Sequence, residues 1–518
     1  MKTLRSFVHD EWHQADSGFA PLHNPCTEEP IARAGSQGID FGAAYEHARN
    51  VGGTTLRDMS FAQRGELLSA MSKALYTRRE ELIELSSLNT GVTRKDAKFD
   101  LDGATFTLSY YGKLGKSLGD RKWFAEDDGA QLGRSSRFWG RHMRLPRRGV
   151  AVHVNAFNFP AWGLAEKASC AILAGMPVIS KPATSSAWVA ERCVEILVDE
   201  GTLPPGVLSL ICGSTGDLLD RLGEQDVFAF TGSADTALKL RGKPNLLAAS
   251  TRVNIEADSL NAAVLAPGLD REGEAWNVFL VDVAREITQK TGQKCTAVRR
   301  IFVPRDELDE VQAALCERLA AAVPGDPRDA SVTMGPLATE RQLHDAVEGV
   351  ARLAGEAEIV HGTGQRVDGR GTQPGQGWFF APTLLRSEKT SAAGVLHRHE
   401  VFAPVSTLCA YSGDLADAAA GVGYARGTLV TSLYLDRPEH LTEYMTAGGA
   451  TSGRLYVASS KVAPQLPGSG TTLPAMLHGG PGRAGGGEEL GGISGLSLYQ
   501  QRVAVTGDRA LLDRAGAD

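Results

Sequence analysis

Cysteine is scarce in this chain of 518 residues: seven occur (Cys26, Cys170, Cys193, Cys212, Cys295, Cys316, Cys409), far apart and with no CxxC pair. An odd, scattered set excludes a disulfide framework and a structural zinc knot and leaves reduced thiols. Long hydrophobic runs are missing too. The longest mostly apolar stretch, around Ala168 to Ile179, falls short of a membrane span, and the opening MKTLRSFVHDEWHQ has two early positive charges but no apolar core. A cytoplasmic protein with no membrane partner is expected. Nor is there an excess of positive charge: the formal net charge is -7, so nucleic acid is not an expected partner. What is present is an ordinary globular composition, 42% hydrophobic and 22% charged, at the length of two or three domains.

Short β-branched runs alternate with helical periodicity. Strands are predicted at 149–154, 177–180, 207–212, 227–230 and 252–256, with helices at 161–174, 186–200, 215–222 and 234–240 between them. Strand–helix–strand at this spacing demands parallel pairing with right-handed crossovers, hence a doubly wound α/β sheet. A second series follows, with helices at 276–289, 308–322 and 339–354 and strands at 300–303, 379–385, 432–435 and 454–458. Two α/β domains in tandem are expected, followed by a Gly/Pro/Thr-rich loop over 464–492.

That loop contains Gly480-x-Gly482-x-x-Gly485, formally a dinucleotide fingerprint. The match is rejected, because no strand is predicted before it, no clear helix after it, and no acidic residue stands at ribose-binding distance. The stretch 133–149 carries Arg134, Arg137, Arg141, Arg144, Arg147 and Arg148 around Phe138 and Trp139. Such a stretch could clasp phosphates, but an extended arm packed on another subunit is the preferred reading.

Four separated segments carry the chemistry: Asn155-Ala-Phe-Asn-Phe-Pro160 between a strand and a helix, Ser180-Lys-Pro-Ala183 at the end of the next strand, Phe230-Thr-Gly-Ser233 at a strand-to-helix turn, and Gly292-Gln-Lys-Cys295. In this order and spacing they resemble the aldehyde dehydrogenase superfamily, over roughly residues 20–505. The resemblance implies a Rossmann-like dinucleotide-binding domain (1–133 and 150–257), an α/β catalytic domain (258–485) and a small β oligomerisation element (134–149 and 486–518). The arm and the partly alternating segment 496–506 present edges that need partners, so a homodimer is expected, with pairing of dimers left open.

Residue roles follow from the same resemblance. Cys295 matches the nucleophile, whose thiolate attacks an aldehyde carbon to give a thiohemiacetal and then a thioester. Asn158, with the backbone N–H of Cys295, matches the donor pair for the oxyanion. Glu256 matches the general base that activates water. Relatives that release acyl-CoA by thiolysis typically lack this carboxylate, so a free acid is the implied product. Lys167 and Glu489 match a proton relay, with Glu488 competing for the second place. For the cofactor, Lys181 resembles the lysine at the adenine ribose; Thr231, Gly232 and Ser233 line the pyrophosphate; Glu400 holds the nicotinamide ribose and Phe402 packs on the ring. Ala403 and Ala237 depart from glycines common in the family. His397 and His399 are close in sequence, but no metal is expected.

At the position three after Lys181, many NAD-specific relatives carry Glu, whose charge repels a 2′-phosphate; here it is Thr184, followed by Ser185. A neutral hydroxyl removes that repulsion and can donate to a phosphate, so NADP is the expected cofactor with NAD tolerated. The stretches 151–160, 210–214, 256–261, 292–297 and 478–492 further resemble a subgroup that oxidises CoA-linked semialdehydes in aerobic aromatic catabolism. The chain end near residue 518 favours a stand-alone dehydrogenase of this kind. A dehydrogenase of a free small aldehyde is the alternative within enzymes, and a catalytically silent binding protein the alternative outside them. Silence predicts loss of the nucleophile, the oxyanion donor or the base, and all three are here.

Overall fold

The computed structural model describes residues 1–388 and 391–517; residues 389, 390 and 518, which fall inside the expected 258–485 and 486–518 segments, lie outside it. The first sheet is built from β1 (Ser6–Val8), β2 (Glu11–His13), β3 (Ala151–Val154), β4 (Val178–Lys181), β5 (Leu208–Leu210), β6 (Val227–Thr231) and β7 (Arg252–Glu256), in the order β7-β6-β3-β4-β5-β1-β2. From β7 to β5 all pairs are parallel, and the antiparallel β1 and β2 close one edge. Both faces are covered. Ala151, Val178 and Leu208 point into one buried cluster, while the alternating Val152, Ile179 and Phe228 enter another. Period-two alternation into two cores is the signature of a doubly wound sheet, and each such side chain contributes about 1.5–3 kcal/mol of burial.

The second sheet repeats this plan with β8 (Ala262–Leu265), β9 (Arg300–Pro304), β10 (Glu358–His361), β11 (Thr383–Ser387), β12 (Val405–Tyr411), β13 (Thr428–Tyr434) and β14 (Ser452–Ala458), ordered β10-β11-β12-β9-β8-β13-β14. Only the β10–β11 pair is antiparallel. Ala262 and Val264 face one core and Ala263 and Leu265 the other.

Three helices that the sequence analysis did not anticipate, α1 (Phe61–Thr77), α2 (Arg79–Thr90) and α3 (Arg94–Leu118), pack beside α4 (Pro160–Ala174) and α5 (Ala187–Asp199). The expected helix over 215–222 is only a turn, Leu218–Arg221, because left-handed Gly213 and Gly216 break the chain just before it. The strand expected over 379–385 starts at Thr383, since Pro382 has no N–H for the ladder. Within 464–492 the chain forms a two-stranded antiparallel ribbon, β15 (Leu477–Gly479) and β16 (Glu488–Leu490). A strand therefore does precede Gly480, but only a single turn, Gly482–Ala484, follows it.

The basic arm forms the strand Phe138–Pro146, paired antiparallel along its length with the terminal strand Gln500–Asp508. Three of its arginines are engaged within the chain: Arg141 with Asp513, Arg144 with Glu126, and buried Arg147 with the Gln225 carbonyl. The terminal strand has a neighbour on one side only among the described residues.

Candidate active site

The carboxyl ends of the first sheet, the loop before β9 and the ribbon meet in one cleft lined by Asn158, Lys167, Thr231, Glu256, Cys295 and His478, among others. Each is placed by a local cause. Asn158 sits on the short loop between β3 and α4. Phe159 offers α4 no side-chain cap, and Pro160 needs no partner at the first helical position. The orphan N–H groups of Ala161 and Trp162 donate instead to the Asp100 carboxylate of α3, at 3.2 and 2.9 Å. Asn158 is thus free of capping; its Nδ2 donates to the Gln293 carbonyl at 3.0 Å, two residues before Cys295, and keeps a second N–H for a ligand.

Cys295 follows α6 (Glu274–Thr288) through a run of left-handed backbone at Lys290, Thr291 and Gly292. Gly292 is required there, because a Cβ would strike the Ala403 carbonyl. Buried Arg299 ties the loop together by donating to the Gly292 and Ala403 carbonyls, both at 2.8 Å. The Asn261 amide holds the carbonyls of Cys295 and Ala297 at 2.7 and 2.9 Å. Non-glycine residues in this backbone region cost energy and persist only where the surroundings over-determine them.

Glu256 ends β7. Asn254 and Glu256, two apart, present the same face to the ribbon, where Asn254 Nδ2 donates to Glu489 at 2.9 Å and Glu256 meets His478 Nε2 at 3.0 Å. His478 and Glu489 are themselves register partners across the ribbon. The ribbon can lie this close because Gly485 and Gly487 leave no Cβ to strike the Ile255 carbonyl. Gly480 and Gly482 likewise stand where a Cβ would strike the Thr428 and Arg426 carbonyls.

Lys167, 2% exposed, pairs with Glu489 and Glu166, each at 3.1 Å. Glu488 is exposed, so only Glu489 of the two competing residues reaches the cleft. Burial opposes charge on Lys167, but Glu489 and Glu166 outweigh it and hold the ammonium above its usual range. Burial raises the Glu489 carboxyl. Burial would raise Glu256 as well, yet His478 and Lys167 hold it well below the ordinary carboxylate range. The Cys295 thiol is pushed well up, by burial first and then by the charge of Glu256.

This geometry puts a thiol, an amide donor and a charged carboxylate around one cleft. The sequence matches the Aldehyde dehydrogenase family over residues 12–471. It is 41% identical over 478 residues, 92% of this chain and 93% of the relative, to a 3,4-dehydroadipyl-CoA semialdehyde dehydrogenase of Aromatoleum evansii.

The chain belongs to the aldehyde dehydrogenase family.

It is 26% identical to a succinate-semialdehyde dehydrogenase [NADP(+)] 1 of Mycobacterium tuberculosis over 74% of this chain and 80% of that one. Among solved structures it shares the fold of a Staphylococcus aureus betaine aldehyde dehydrogenase in complex with NAD+ (TM-score 0.84, 21% identity, 98% and 95% of the two chains). It shares it equally with Escherichia coli lactaldehyde dehydrogenase (TM-score 0.84, 20% identity, 97% and 99%). The architecture is thus the aldehyde dehydrogenase fold, with its two α/β units, and the activity is oxidation of an aldehyde.

Of the other expected residues, Lys181, Thr184 and Ser185 lie at the end of β4 and the turn into α5, where burial lowers the Lys181 ammonium. The Thr231 hydroxyl donates to Glu256 at 3.3 Å, and Ser233 caps the helix Ala234–Arg241. Asp258 accepts from the Ala234 N–H, so a carboxylate already stands at that helix start. Glu400 accepts from the Ser259 N–H at 3.2 Å and stands 3.4 Å from Arg299. Burial lifts it to about 7. Phe402 packs edge-on to Phe157, centroids 5.9 Å apart. Buried His397 contacts Arg300 at 2.9 Å instead of joining His399.

Two site residues escaped the sequence analysis as functional groups, Glu166 and His478. The only signal for His478 was its place at the start of the Gly-rich 478–492 stretch. Together one Glu256 carboxylate oxygen, the Cys295 sulfur and one His478 ring nitrogen lie within 4.8 Å of one another.

Proposed function

We propose that this enzyme oxidises a CoA-linked semialdehyde to the free acid with NADP as preferred acceptor, through a thioester on Cys295. The observation that carries the mechanism is the convergence of Cys295, Asn158 and Glu256 on one cleft. Cys295 sulfur bonds to the aldehyde carbon, and the oxygen that becomes negative is met by the second Asn158 N–H and the Cys295 backbone N–H, donors set before the reaction begins. The nicotinamide dinucleotide, when bound, accepts the hydride that leaves this carbon. Glu256 then takes a proton from water as its oxygen attacks the thioester, and the thiol departs. Lys167 and Glu489, paired at 3.1 Å behind Glu256, are placed to pass that proton outward.

The residues fit the dinucleotide. Oε1 of buried Glu400 faces Arg299 Nε at 3.4 Å without a close hydrogen bond, which leaves acceptor capacity for the ribose hydroxyls, with Phe402 beside it for the ring. Lys181, Thr184 and Ser185 would take the adenine ribose and its 2′-phosphate; Thr231, Gly232 and Ser233 would line the pyrophosphate. The substrate rests on the 41% identical relative, whose name specifies a CoA-linked semialdehyde. The assembly rests on the half-paired edge of the terminal strand, which a second subunit would cover to make the homodimer.

A steady-state comparison of semialdehyde-CoA with free aldehydes of matching length, under NADP and NAD, tests the substrate and cofactor together. Higher kcat/KM for the CoA-linked aldehyde is expected, and preference for the free aldehydes would refute it. Rapid mixing of Glu256→Gln should give one burst of reduced cofactor and then a stall at the thioester, because without the carboxylate no water is activated for hydrolysis. Normal steady turnover of that variant would take Glu256 out of the mechanism.

A further inference from the structure

His478 has no part in the scheme above, yet its Nε2 lies 3.0 Å from a Glu256 oxygen and 3.9 Å from the Cys295 sulfur. A carboxylate can only accept, so Nε2 carries the proton. The thiol also faces Glu256, and a thiolate formed there would stand against a negative charge. That is an adverse arrangement for a nucleophile that must be anionic to react. An N–H donor within reach of both groups removes the difficulty.

We infer that His478 is a further catalytic residue of this site: its Nε2–H, shared between the Glu256 carboxylate and the Cys295 sulfur, stabilises the attacking thiolate. The inference rests on the reading of Cys295 as nucleophile. The step balances. The S–H bond breaks, its proton passes to the Glu256 oxygen it faces and on through Glu489 before water is activated, and the electron pair left on sulfur forms the bond to the aldehyde carbon. Neutral Glu256 no longer competes for the imidazole donor, which turns to the sulfur. The charged groups around His478 agree with a donor role: Glu256 from β7, Glu166 and Lys167 from α4, and Glu489 from the facing ribbon strand. Burial disfavours the imidazolium, but Glu256, Glu166 and Glu489 together raise His478 above its ordinary value.

The test is alkylation of Cys295 by iodoacetamide in the full-length enzyme, followed from about pH 6 to about pH 10, with Cys295→Ala giving the background from the other thiols. In His478→Leu, which has no donor, alkylation should slow about tenfold below the thiol pKa, a shift of about one pKa unit. His478→Gln keeps an N–H and should lose only about threefold, part of the same shift. Identical profiles in the native enzyme and the variants would overturn the inference, as would a loss in His478→Gln as large as in His478→Leu, which would mark a role other than donation. If His478→Leu does not fold, the His478→Gln profile decides by the same criterion. Turnover by Cys295→Ala would overturn the underlying reading instead, so the two failures are distinguishable.

Discussion

The two seven-stranded sheets share a plan but place their chemistry by different means. In the first, Lys181, Thr231 and Glu256 end three parallel strands, and Asn158 lies in the loop that follows β3, the strand between those of Lys181 and Thr231. Their positions follow from regular secondary structure, because parallel strands deliver their carboxyl ends to one edge. In the second, Cys295 lies on no strand. It is held by left-handed backbone at residues 290–292 and by hydrogen bonds from Arg299 and Asn261. The proposed base and oxyanion donor therefore stand on a regular scaffold, while the proposed nucleophile stands on a strained loop that Arg299 and Asn261 keep in place.

The sharpest cut through this comparison is Cys295→Ala, which should abolish oxidation and leave dinucleotide affinity unchanged, as read by fluorescence titration of the reduced cofactor. Residual turnover would move the nucleophile elsewhere. Next is Asn158→Ala on the regular side, with kcat expected to fall a few hundredfold and melting temperature to hold, since Asn158 caps no helix; a wild-type kcat would leave the oxyanion without its side-chain donor. On the strained side, Gly292→Ala forces a Cβ toward the Ala403 carbonyl. A displacement of the nucleophile by about an ångström costs about a hundredfold in kcat, whereas cofactor affinity, proposed to rest largely on Lys181 and Thr231 of the first sheet, should change far less. Equal losses of both would mean that the two regions do not behave separately. The smallest effect is Thr184→Glu, which should shift kcat/KM against NADP about tenfold relative to NAD through like-charge exclusion; equal changes with both cofactors would exclude that residue from selectivity.

Much of this was legible without coordinates. The strand at 252–256 has its predicted bounds, β3, β4, β6 and α4 lie within a residue or two of theirs, and Cys295, Asn158 and Glu256 were singled out from the four segments and the resemblance. The helices over 61–118 were not, nor was the ribbon at 477–490. Three-residue strands carry too little periodicity to be seen, and the glycines that let the ribbon approach β7 look like any flexible loop. Glu488 and Glu489 are chemically identical neighbours, and only the alternation of a strand turns one to Lys167 and the other to solvent.

By itself, then, the sequence determined the α/β class and the family and singled out the groups proposed for the reaction, because periodicity and short motifs are local properties of the chain. Only the tertiary structure decided which charges face one another. Glu256 and His478 are 222 residues apart, and Lys167 and Glu489 more distant still. Their ionisation is set by desolvation and by neighbours a few ångströms away, distances that exist only once β7, α4 and the ribbon have packed together.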